Sequence, residues 1–196
     1  MTLNVVKLDD VSPQPWRNGG GVTRELLTWP NADEWILRLS VADIEKDGPF
    51  SAFPGVQRWI VALTGAGMEL DEPFNVQLEP GLSVYSFDGR FAPMCTLTSG
   101  PTQDLNLMIA TNRASGWLRR MVLHNPTGGN THWLASQTEQ TSTLLGVFSW
   151  LGTSVRTQRE TVEVPPRSLV WSVDDVRDWS VSPVECCWGI QCSLSA

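Results

Sequence analysis

Short apolar segments separated by turn-forming residues run the whole length of the sequence, and this spacing constrains the fold more than any other feature. Gly, Pro, Asn or Asp recurs about every eight to twelve residues, between segments rich in Val, Ile, Leu, Trp, Phe and Thr. Such spacing is typical of β-sandwiches and β-barrels. No segment has the pattern of a long amphipathic helix, and the best candidate for a short helix is Asn112–Arg120. We predict strands at Leu3–Leu8, Val22–Trp29, Glu34–Ala42, Gln57–Leu63, Phe74–Leu78, Ser83–Phe87, Met94–Thr98, Leu105–Ala110, Leu118–Leu123, Leu144–Leu151, Val155–Arg159, Ser168–Trp171, Trp179–Ser182 and Glu185–Ile190.

Two parts of the sequence repeat the same order of strands and turns. Glu79–Asp88 aligns with Pro165–Asp174, and Val61–Gly67 aligns with Val147–Thr153. Few residues are identical, and β-rich segments share alternation in any case, so coincidence is the alternative explanation. We interpret the pattern as an internal duplication, which predicts two similar barrels in tandem.

The composition of the chain indicates which kinds of partner it can bind and in which cell compartment it is expected. The chain has 196 residues, of which 41% are hydrophobic, so it is long enough and apolar enough to bury a core. Its net charge of -7 repels phosphate backbones and it has no basic run, which argues against nucleic-acid or membrane-surface binding. No signal peptide or membrane-spanning run is recognisable. We therefore expect a cytoplasmic protein.

Cysteine and histidine residues are too few and too scattered to predict a metal centre. The cysteines Cys186, Cys187 and Cys192 cluster in sequence and could bind a soft metal, but free thiols are the expected state in a reducing compartment. The two histidines, His124 and His132, lie between the two repeats and are interpreted as loop or interface residues. We predict no metal and no cofactor.

Six segments of the sequence form a distinctive set of motifs: Pro15–Leu26, Trp35–Ala42, Asp47–Arg58, Leu63–Leu70, Phe87–Gly89 and Ser99–Met108. In this order they resemble the HutD/Ves family of proteins, which is associated with histidine utilisation and, in another branch, with stress induction. The similarity is specific over residues 13–113 and beyond them rests on length and strand pattern.

The resemblance implies an all-β bicupin, that is, two tandem cupin-like (RmlC-like jelly-roll) β-barrels in a single compact unit. We place the N-terminal barrel at residues 1–112 and the C-terminal barrel at residues 113–196. No established catalytic activity comes with the family. The ligand that it implies is a small acylated or formiminated amino acid, such as N-formyl- or N-formiminoglutamate.

The metal-binding motifs of cupins are missing from the positions where they would fall. Their second motif ends in a histidine, and counting from Gly81 that position holds Ala92. Their first motif needs two histidines, and Arg58–Gly67 has none. Since divalent transition metals in such barrels need two or three imidazoles, the expectation is a metal-free protein.

Alternation along three predicted strands places single polar groups on otherwise apolar faces. Asp104 and Asn106 share one face of their strand, and Arg38 and Arg58 each stand among small or apolar residues on theirs. A solvated outer face is the common explanation. Solvated faces, however, carry several charged residues, whereas ligand pockets are mostly apolar with a few fixed polar groups. We interpret these four residues as a pocket that binds a carboxylate.

Two turn-rich segments are candidates for the rim of that pocket. Asn18–Gly21 contains three glycines but precedes a strand and lacks the lysine of a phosphate loop, so it is either a tight turn or a turn that carries residues to the pocket mouth. Asp47–Gly55 is either a packed connection or an aromatic lid. The complete set of predicted ligand-binding residues is Trp16, Asn18, Arg24, Arg38, Phe50, Phe53, Arg58, Asp104 and Asn106.

The sequence thus favours binding of a small anionic metabolite, with an accessory or regulatory role in histidine utilisation, over catalysis. Neither a nucleophile motif nor a cysteine with a nearby histidine is recognisable. Two alternatives stay open: a metal-free isomerase, epimerase or hydrolase, and a protein-interaction module anchored by exposed tryptophans. We also expect a homodimer, because open barrels leave strand edges that need covering.

Overall fold

The regular secondary structure of the chain is almost entirely β-strand, as seen in a computed structural model that describes residues 3–122, 131–133, 143–173 and 179–195. A 3-10 turn follows the first strand at Leu8–Asp10, and no α-helix occurs in these ranges. No helix among the described residues could therefore span a bilayer. The strands are β1 Asn4–Lys7, β2 Gln14–Pro15, β3 Gly21–Trp29, β4 Leu37–Ile44, β5 Gly48–Pro49, β6 Val56–Thr64, β7 Met68–Leu70, β8 Val76–Leu78, β9 Tyr85–Asp88, β10 Met94–Leu97, β11 Thr102–Ala110, β12 Ala114–Arg120, β13 Thr131–Trp133, β14 Thr143–Ser149, β15 Thr153–Arg156, β16 Thr161–Val164, β17 Ser168–Val173, β18 Trp179–Ser182 and β19 Cys187–Leu194.

One compact unit comprises Val11–Arg113. Its six-stranded sheet has the order β2-β3-β4-β11-β6-β9, and its four-stranded sheet has the order β5-β10-β7-β8. All the strand pairs are antiparallel. Apolar side chains from both sheets form one buried cluster, to which the six-stranded sheet contributes Ile44 and Ile60 and the four-stranded sheet Met68, Leu70 and Cys95. This unit is therefore a two-sheet β-structure with a core between its sheets.

The other compact unit combines the N-terminal segment Met1–Asp10 with Ala114–Ala196. Its sheets have the orders β1-β17-β14-β19-β12 and β13-β18-β15-β16. Its core includes Leu145, Val147 and Trp179, all of them fully buried.

The first ten residues were assigned on sequence to the N-terminal barrel, and here the structure differs. Strand β1 pairs with β17, so that Val5 lies opposite Val170. The adjoining 3-10 turn is fixed by Leu8, which is fully buried and donates its backbone N–H to the Arg167 carbonyl at 2.9 Å. An ion pair of 3.0 Å between Arg167 and Asp9 adds a side-chain contact. This pairing joins residues far apart in sequence, which local pattern does not reveal.

The strand order repeats between the two units. The sheet pair β4-β11-β6-β9 and β5-β10-β7-β8 of one unit has the same sequence order as β12-β19-β14-β17 and β13-β18-β15-β16 of the other. Each unit then adds strands at one edge: β2 and β3 in one, β1 in the other. The aligned sequence repeats fall on β6 and β9 and on β14 and β17. This correspondence supports the interpretation of a duplication.

The helix predicted at Asn112–Arg120 is wrong. Residues Ala114–Arg120 form strand β12, paired along its whole length with β19. Trp117 packs against the core of its unit, whereas Leu118, on the opposite face of the strand, is 2% exposed. Pairing with β19 fixes an extended backbone, which overrides the helical preference of the local sequence.

Two smaller expectations also need correction or qualification. The strand predicted from Phe74 begins only at Val76, because Asn75 has a φ of 49°, which interrupts the extended backbone. The strand predicted to run to Leu123 ends at Arg120, and Leu123 and His124 lie outside the described residues. His132, interpreted as a loop or interface residue, lies on strand β13.

Candidate functional site

A cleft of about 430 Å³ opens in the unit Val11–Arg113. Its floor is the inner face of strands β3, β4, β6 and β11, and its rim is formed by the segments before β3 and after β5. This volume is in the range of small-molecule sites. The lining residues are Gln14, Pro15, Trp16, Arg17, Asn18, Thr23, Glu25, Arg38, Ser40, Ala42, Pro49, Phe50, Ser51, Phe53, Arg58, Asp104, Asn106 and Met108.

The register of the central strands sets the order of the polar groups on the floor. Met108 of β11 lies between Arg38 of β4 and Arg58 of β6. Asn106 lies two residues before Met108 on β11, and Asp104 lies two residues before Asn106. Directly opposed residues of an antiparallel sheet share a face, so these five side chains point the same way. Successive levels on that face are about 6.8 Å apart along the strand.

Arg58 is a buried cation held mainly by aromatic rings. Its side chain is 3% exposed, and its guanidinium carbon lies 5.0 Å from the ring centre of Phe87, 5.2 Å from Phe50 and 5.8 Å from Phe53. Nη1 donates to the Ser51 carbonyl at 3.2 Å. Burial lowers the pKa of Arg58 to about 10, which leaves the side chain charged at neutral pH. Its Nε has no hydrogen-bond partner among the described residues.

Asp104 is the only acidic residue that sequence analysis placed in the site, and it is fully enclosed. It is 1% exposed, and its Oδ1 has no hydrogen-bond partner in the described part of the chain. Burial raises the pKa of this carboxyl group to about 7, against the lowering effects of the Arg58 charge and the Ala42 backbone. Asp104 can therefore act as an acceptor or a donor at neutral pH, depending on its protonation state.

Arg38 lies at the more open side of the floor. Its guanidinium carbon is 5.5 Å from the ring centre of Phe53 and 5.8 Å from that of Trp35, and Nη1 lies 3.5 Å from Oε1 of Glu25. Its Nε, like that of Arg58, has no hydrogen-bond partner within the described ranges. The pair with Glu25 is partly exposed and long, so it neutralises Arg38 only weakly.

A glycine-rich turn brings Trp16 and Asn18 to the rim. Nε1 of Trp16 donates to Oγ1 of Thr23 at 2.7 Å, and Oδ1 of Asn18 accepts from the Gly20 backbone N–H at 3.0 Å. Gly21 is required by close approach, since a Cβ there would lie 2.2 Å from the Asp43 carbonyl oxygen. The turn therefore orients two side chains toward the cleft.

The segment after β5 covers the two arginines with aromatic rings. The backbone N–H of Phe50 donates to the Pro93 carbonyl at 2.9 Å, and that of Phe53 donates to the Gly89 carbonyl. Phe50 is 8% exposed and belongs to the core cluster, whereas Phe53 is less buried. The segment is thus anchored by backbone hydrogen bonds at both aromatic residues.

The family model that describes HutD proteins matches residues 8–174 of the chain. This range includes every residue of the cleft. The chain belongs to the HutD family.

Individual relatives agree with this assignment. HutD from Pseudomonas fluorescens SBW25 is 27% identical, with a TM-score of 0.81 and full coverage of both chains. An uncharacterised 21.2 kDa protein encoded in the hutC 3′ region of Pseudomonas putida is 38% identical over 115 residues, which cover 57% of this chain and only 60% of that relative. A cupin 2 conserved barrel domain protein from Leptotrichia buccalis is 10% identical with a TM-score of 0.52, which indicates a cupin-like fold. The predictions of a HutD/Ves resemblance and of an all-β cupin-like fold are confirmed.

Eight of the nine predicted site residues line the cleft of this HutD-family chain, and Arg24 does not. Alternation along β3 turns Thr23 and Glu25 toward the cleft, so Arg24 faces the other way. There it forms an ion pair with Asp43, whose carboxylate also accepts from Gln103.

Several lining residues were missed by sequence analysis. Glu25 and Thr23 could have been found, because the period-two pattern that was applied to the neighbouring strands also holds for β3. Gln14, Arg17 and Ser51 lie in irregular segments, where no periodicity indicates the direction of a side chain.

The metal-ligating residue types do not cluster in the described part of the HutD-family chain. No group of three or more His, Cys, Asp or Glu side chains there could hold a metal ion. Cys95, Cys187 and Cys192 are buried free thiols, and Cys186 is half-buried. Burial raises the pKa of Cys95 and of Cys192 to about 12, so both are uncharged at neutral pH.

Proposed function

We propose that this HutD-family chain binds a small anionic metabolite in the cleft, with N-formyl- or N-formiminoglutamate as candidate ligands. The observation that carries the proposal is the pair of arginines on the floor, each with a buried Nε that has no hydrogen-bond partner among residues 3–122, 131–133, 143–173 and 179–195. A guanidinium presents a planar fork of donors that matches a carboxylate. Arg38 and Arg58 flank a single residue, Met108, and so lie close enough to act together on one carboxylate group.

The charge balance supports an anion as the occupant. Within the described residues, Arg58 forms no ion pair, and the counter-charge of Arg38 is the partly exposed Glu25 at 3.5 Å. A buried charge with incomplete partners is costly, so a ligand carboxylate that completes the hydrogen bonds is favoured in this position. The enclosed aromatic surroundings strengthen such a contact, because the local dielectric constant is low.

The biological role that we propose is accessory or regulatory, in histidine utilisation. It is supported by the similarity to HutD from Pseudomonas fluorescens and by the relative encoded in the hutC 3′ region of Pseudomonas putida. The proposed location is the cytoplasm. Binding without turnover is what distinguishes such a role from an enzyme of the same pathway.

Titration calorimetry against formylglutamate, formiminoglutamate, urocanate and glutamate tests the proposal. We expect Arg58→Ala to weaken binding of the best ligand by about 1.5–3 kcal/mol, about 10- to 100-fold in Kd, as for a lost charged hydrogen bond. Arg38→Ala should also weaken it. The matched control is Arg90→Ala, since Arg90 is an exposed arginine paired with Asp88 outside the cleft. Absence of binding, or equal affinity in the Arg58 and Arg90 variants, contradicts the proposal.

A second candidate function, metal-free acid–base catalysis, is favoured by one observation. Asp104 is a buried carboxyl group in a cleft with a pKa of about 7, which suits a group that transfers protons at neutral pH. Nuclear magnetic resonance of each candidate ligand incubated with the protein would detect conversion. Turnover that is lost in Asp104→Asn while binding persists would favour this alternative over a binding role.

A further inference from the structure

The unpartnered polar atoms on the cleft floor are of two chemical kinds. Two are donors, Nε of Arg38 and Nε of Arg58, and two are acceptors, Oδ1 of Asp104 and Oδ1 of Asn106. Buried polar atoms in folded proteins are nearly always hydrogen-bonded, so these four atoms on one wall of a cleft are groups that a bound ligand or ordered water can satisfy. An anion alone would satisfy the donors and leave the acceptors open.

The two kinds of atom are also separated along the cleft. The arginines lie at the level of Met108, Asn106 lies one level further along β11 and Asp104 one level beyond it. At about 6.8 Å between levels, the carboxylate position and the Asp104 position suit opposite ends of a short ligand. The two levels are about 13.6 Å apart along the strand, and since the charge of Arg58 acts on Asp104, the Arg58 side chain covers part of that distance.

The carboxylate of Asp104 does not find its counter-charge inside the described part of the protein. No ion pair to Asp104 is formed there, although the charge of Arg58 on β6 acts on it. The remaining ionisable neighbours, Asp43 on β4 and the Cys95 thiol on β10, are not cations. Nor does Arg38 form an ion pair with it, because Arg38 lies opposite Met108, two levels from Asp104 along β11.

We infer that the ligand is amphoteric: its carboxylate binds Arg38 and Arg58, and an amidine- or guanidine-type group at its other end donates N–H bonds to Asp104 and Asn106. The inference rests on the proposed function and narrows its ligand class. A neutral amide at that end offers fewer donors and no charge, so it is the weaker partner for a buried carboxylate. The cation also draws Asp104 into its ionised form, and since its pKa is about 7, binding at pH 7 releases protons.

The test compares 4-guanidinobutyrate with 4-ureidobutyrate at pH 7, because the two have the same length and differ by one terminal nitrogen in place of oxygen. We expect the wild-type protein to bind the guanidino compound at least about tenfold more tightly, as for a charge-assisted hydrogen bond. Calorimetry in buffers of different ionisation enthalpy should show proton release for the guanidino compound. Asp104→Asn should reduce the preference for the guanidino compound from at least about tenfold to within about threefold.

The matched control is Asp88→Asn. Asp88 is the last residue of β9, and its exposed carboxylate pairs with Arg90 outside the cleft. It should retain the wild-type preference. The comparison of the two compounds on the wild-type protein stands even if Asp104→Asn does not fold. Equal or tighter binding of 4-ureidobutyrate, or proton uptake with the guanidino compound, overturns the inference and leaves the proposed function intact. Failure of every small carboxylate to bind overturns both.

Discussion

At the scale of single residues, the cleft is defined by buried polar atoms that have no hydrogen-bond partner within the described part of the chain. Arg58 and Asp104 are 3% and 1% exposed, yet no ion pair joins them. Each therefore bears a desolvation cost that a structural ion pair would partly offset. Such costs are tolerated where a site is prepared for a ligand, which is why the two residues point to function rather than to stability.

The buried carboxyl group makes a prediction about stability and pH. The pKa of Asp104 is raised from 3.8 in a free side chain to about 7 in the fold. The folded state therefore holds a proton between these two values that the unfolded state has lost, and stability falls as pH rises from 3.8 to 7 and levels off above 7. The full difference corresponds to about 4 kcal/mol of stability lost on ionisation.

Asp104→Asn cannot ionise, so it should remove this dependence. We expect the free energy of unfolding of the variant, minus that of the wild type, to rise between pH 4 and pH 7.5 by up to about 4 kcal/mol and then to stay constant. Urea unfolding across that pH range, without ligand, measures the difference. A difference that is flat or declines with pH would show that Asp104 is ionised in the fold throughout.

At the scale of strands, close packing around the glycine-rich turn Asn18–Gly21 connects the fold to the cleft. Gly21 is the first residue of β3. A Cβ placed on it would lie 2.2 Å from the Asp43 carbonyl oxygen and 3.3 Å from Cζ3 of Trp16. A backbone oxygen in a paired strand cannot move away without breaking the pairing of β3 with β4. A methyl group at this position must therefore displace the turn that carries Trp16 and Asn18.

Gly21→Ala is expected to reduce stability by about 1–3 kcal/mol or more, as for other overpacked positions, and to weaken ligand binding through the displaced turn. Gly48→Ala is the matched control, because a Cβ at Gly48 would meet only Asn18 Nδ2 at an ordinary 3.9 Å. Urea unfolding and ligand titration of both variants check the prediction. A stable, fully binding Gly21→Ala protein would mean that β3 and β4 separate easily at this end.

The strands also explain why the sequence predicted part of the site and not the rest. Alternation is a local property, so Arg38, Arg58, Asp104 and Asn106 could be placed on one face from their own strands. Arg24 was predicted at the rim of the pocket, but the same alternation places it on the opposite face of β3 from Thr23 and Glu25, where it pairs with Asp43. The unsatisfied state of the floor atoms depends on packing between strands, which no local pattern contains.

Pairing between distant parts of the chain limited the fold prediction in the same way. Strand β12 overlaps the segment that was the best candidate for a helix. Its pairing partner, β19, lies about seventy residues later in the sequence, and local propensity carries no information about so distant a contact. The assignment of Leu3–Leu8 to the N-terminal barrel failed for the same reason, since β1 pairs with β17. The all-β class itself follows from turn spacing, which is local, and was predictable.

At the scale of the whole molecule, two units of matching strand order differ in what fills them. In the unit Val11–Arg113, Arg38, Arg58 and Asp104 share one face of the six-stranded sheet and line the cleft. In the described part of the other unit, the buried cluster includes Leu145, Val147 and the fully buried Trp179. The two units therefore share a strand order but differ in the side chains on these faces.

The same architecture leaves strand edges that bear on assembly. Among the described strands, the outermost strand of each sheet has a neighbouring strand on one side only, and β1, with Val5 38% exposed, is the outer strand of the five-stranded sheet. Exposed edges are commonly covered by pairing with another copy of the chain in a two-fold arrangement. We therefore predict a homodimer. Sedimentation equilibrium at roughly tens of micromolar protein, where typical obligate dimers persist, should give twice the 21.7 kDa chain mass.

If the dimer forms through the β1 edge, Val5→Lys should shift the equilibrium toward monomer, because a charge on an edge strand opposes edge-to-edge pairing. Leu151→Lys is the matched control, since Leu151 is 57% exposed but lies in a turn after β14 rather than on a strand. A wild-type protein that sediments only as monomer contradicts the prediction. A dimer that Val5→Lys leaves intact would instead place the interface on another edge, such as β9 or β12.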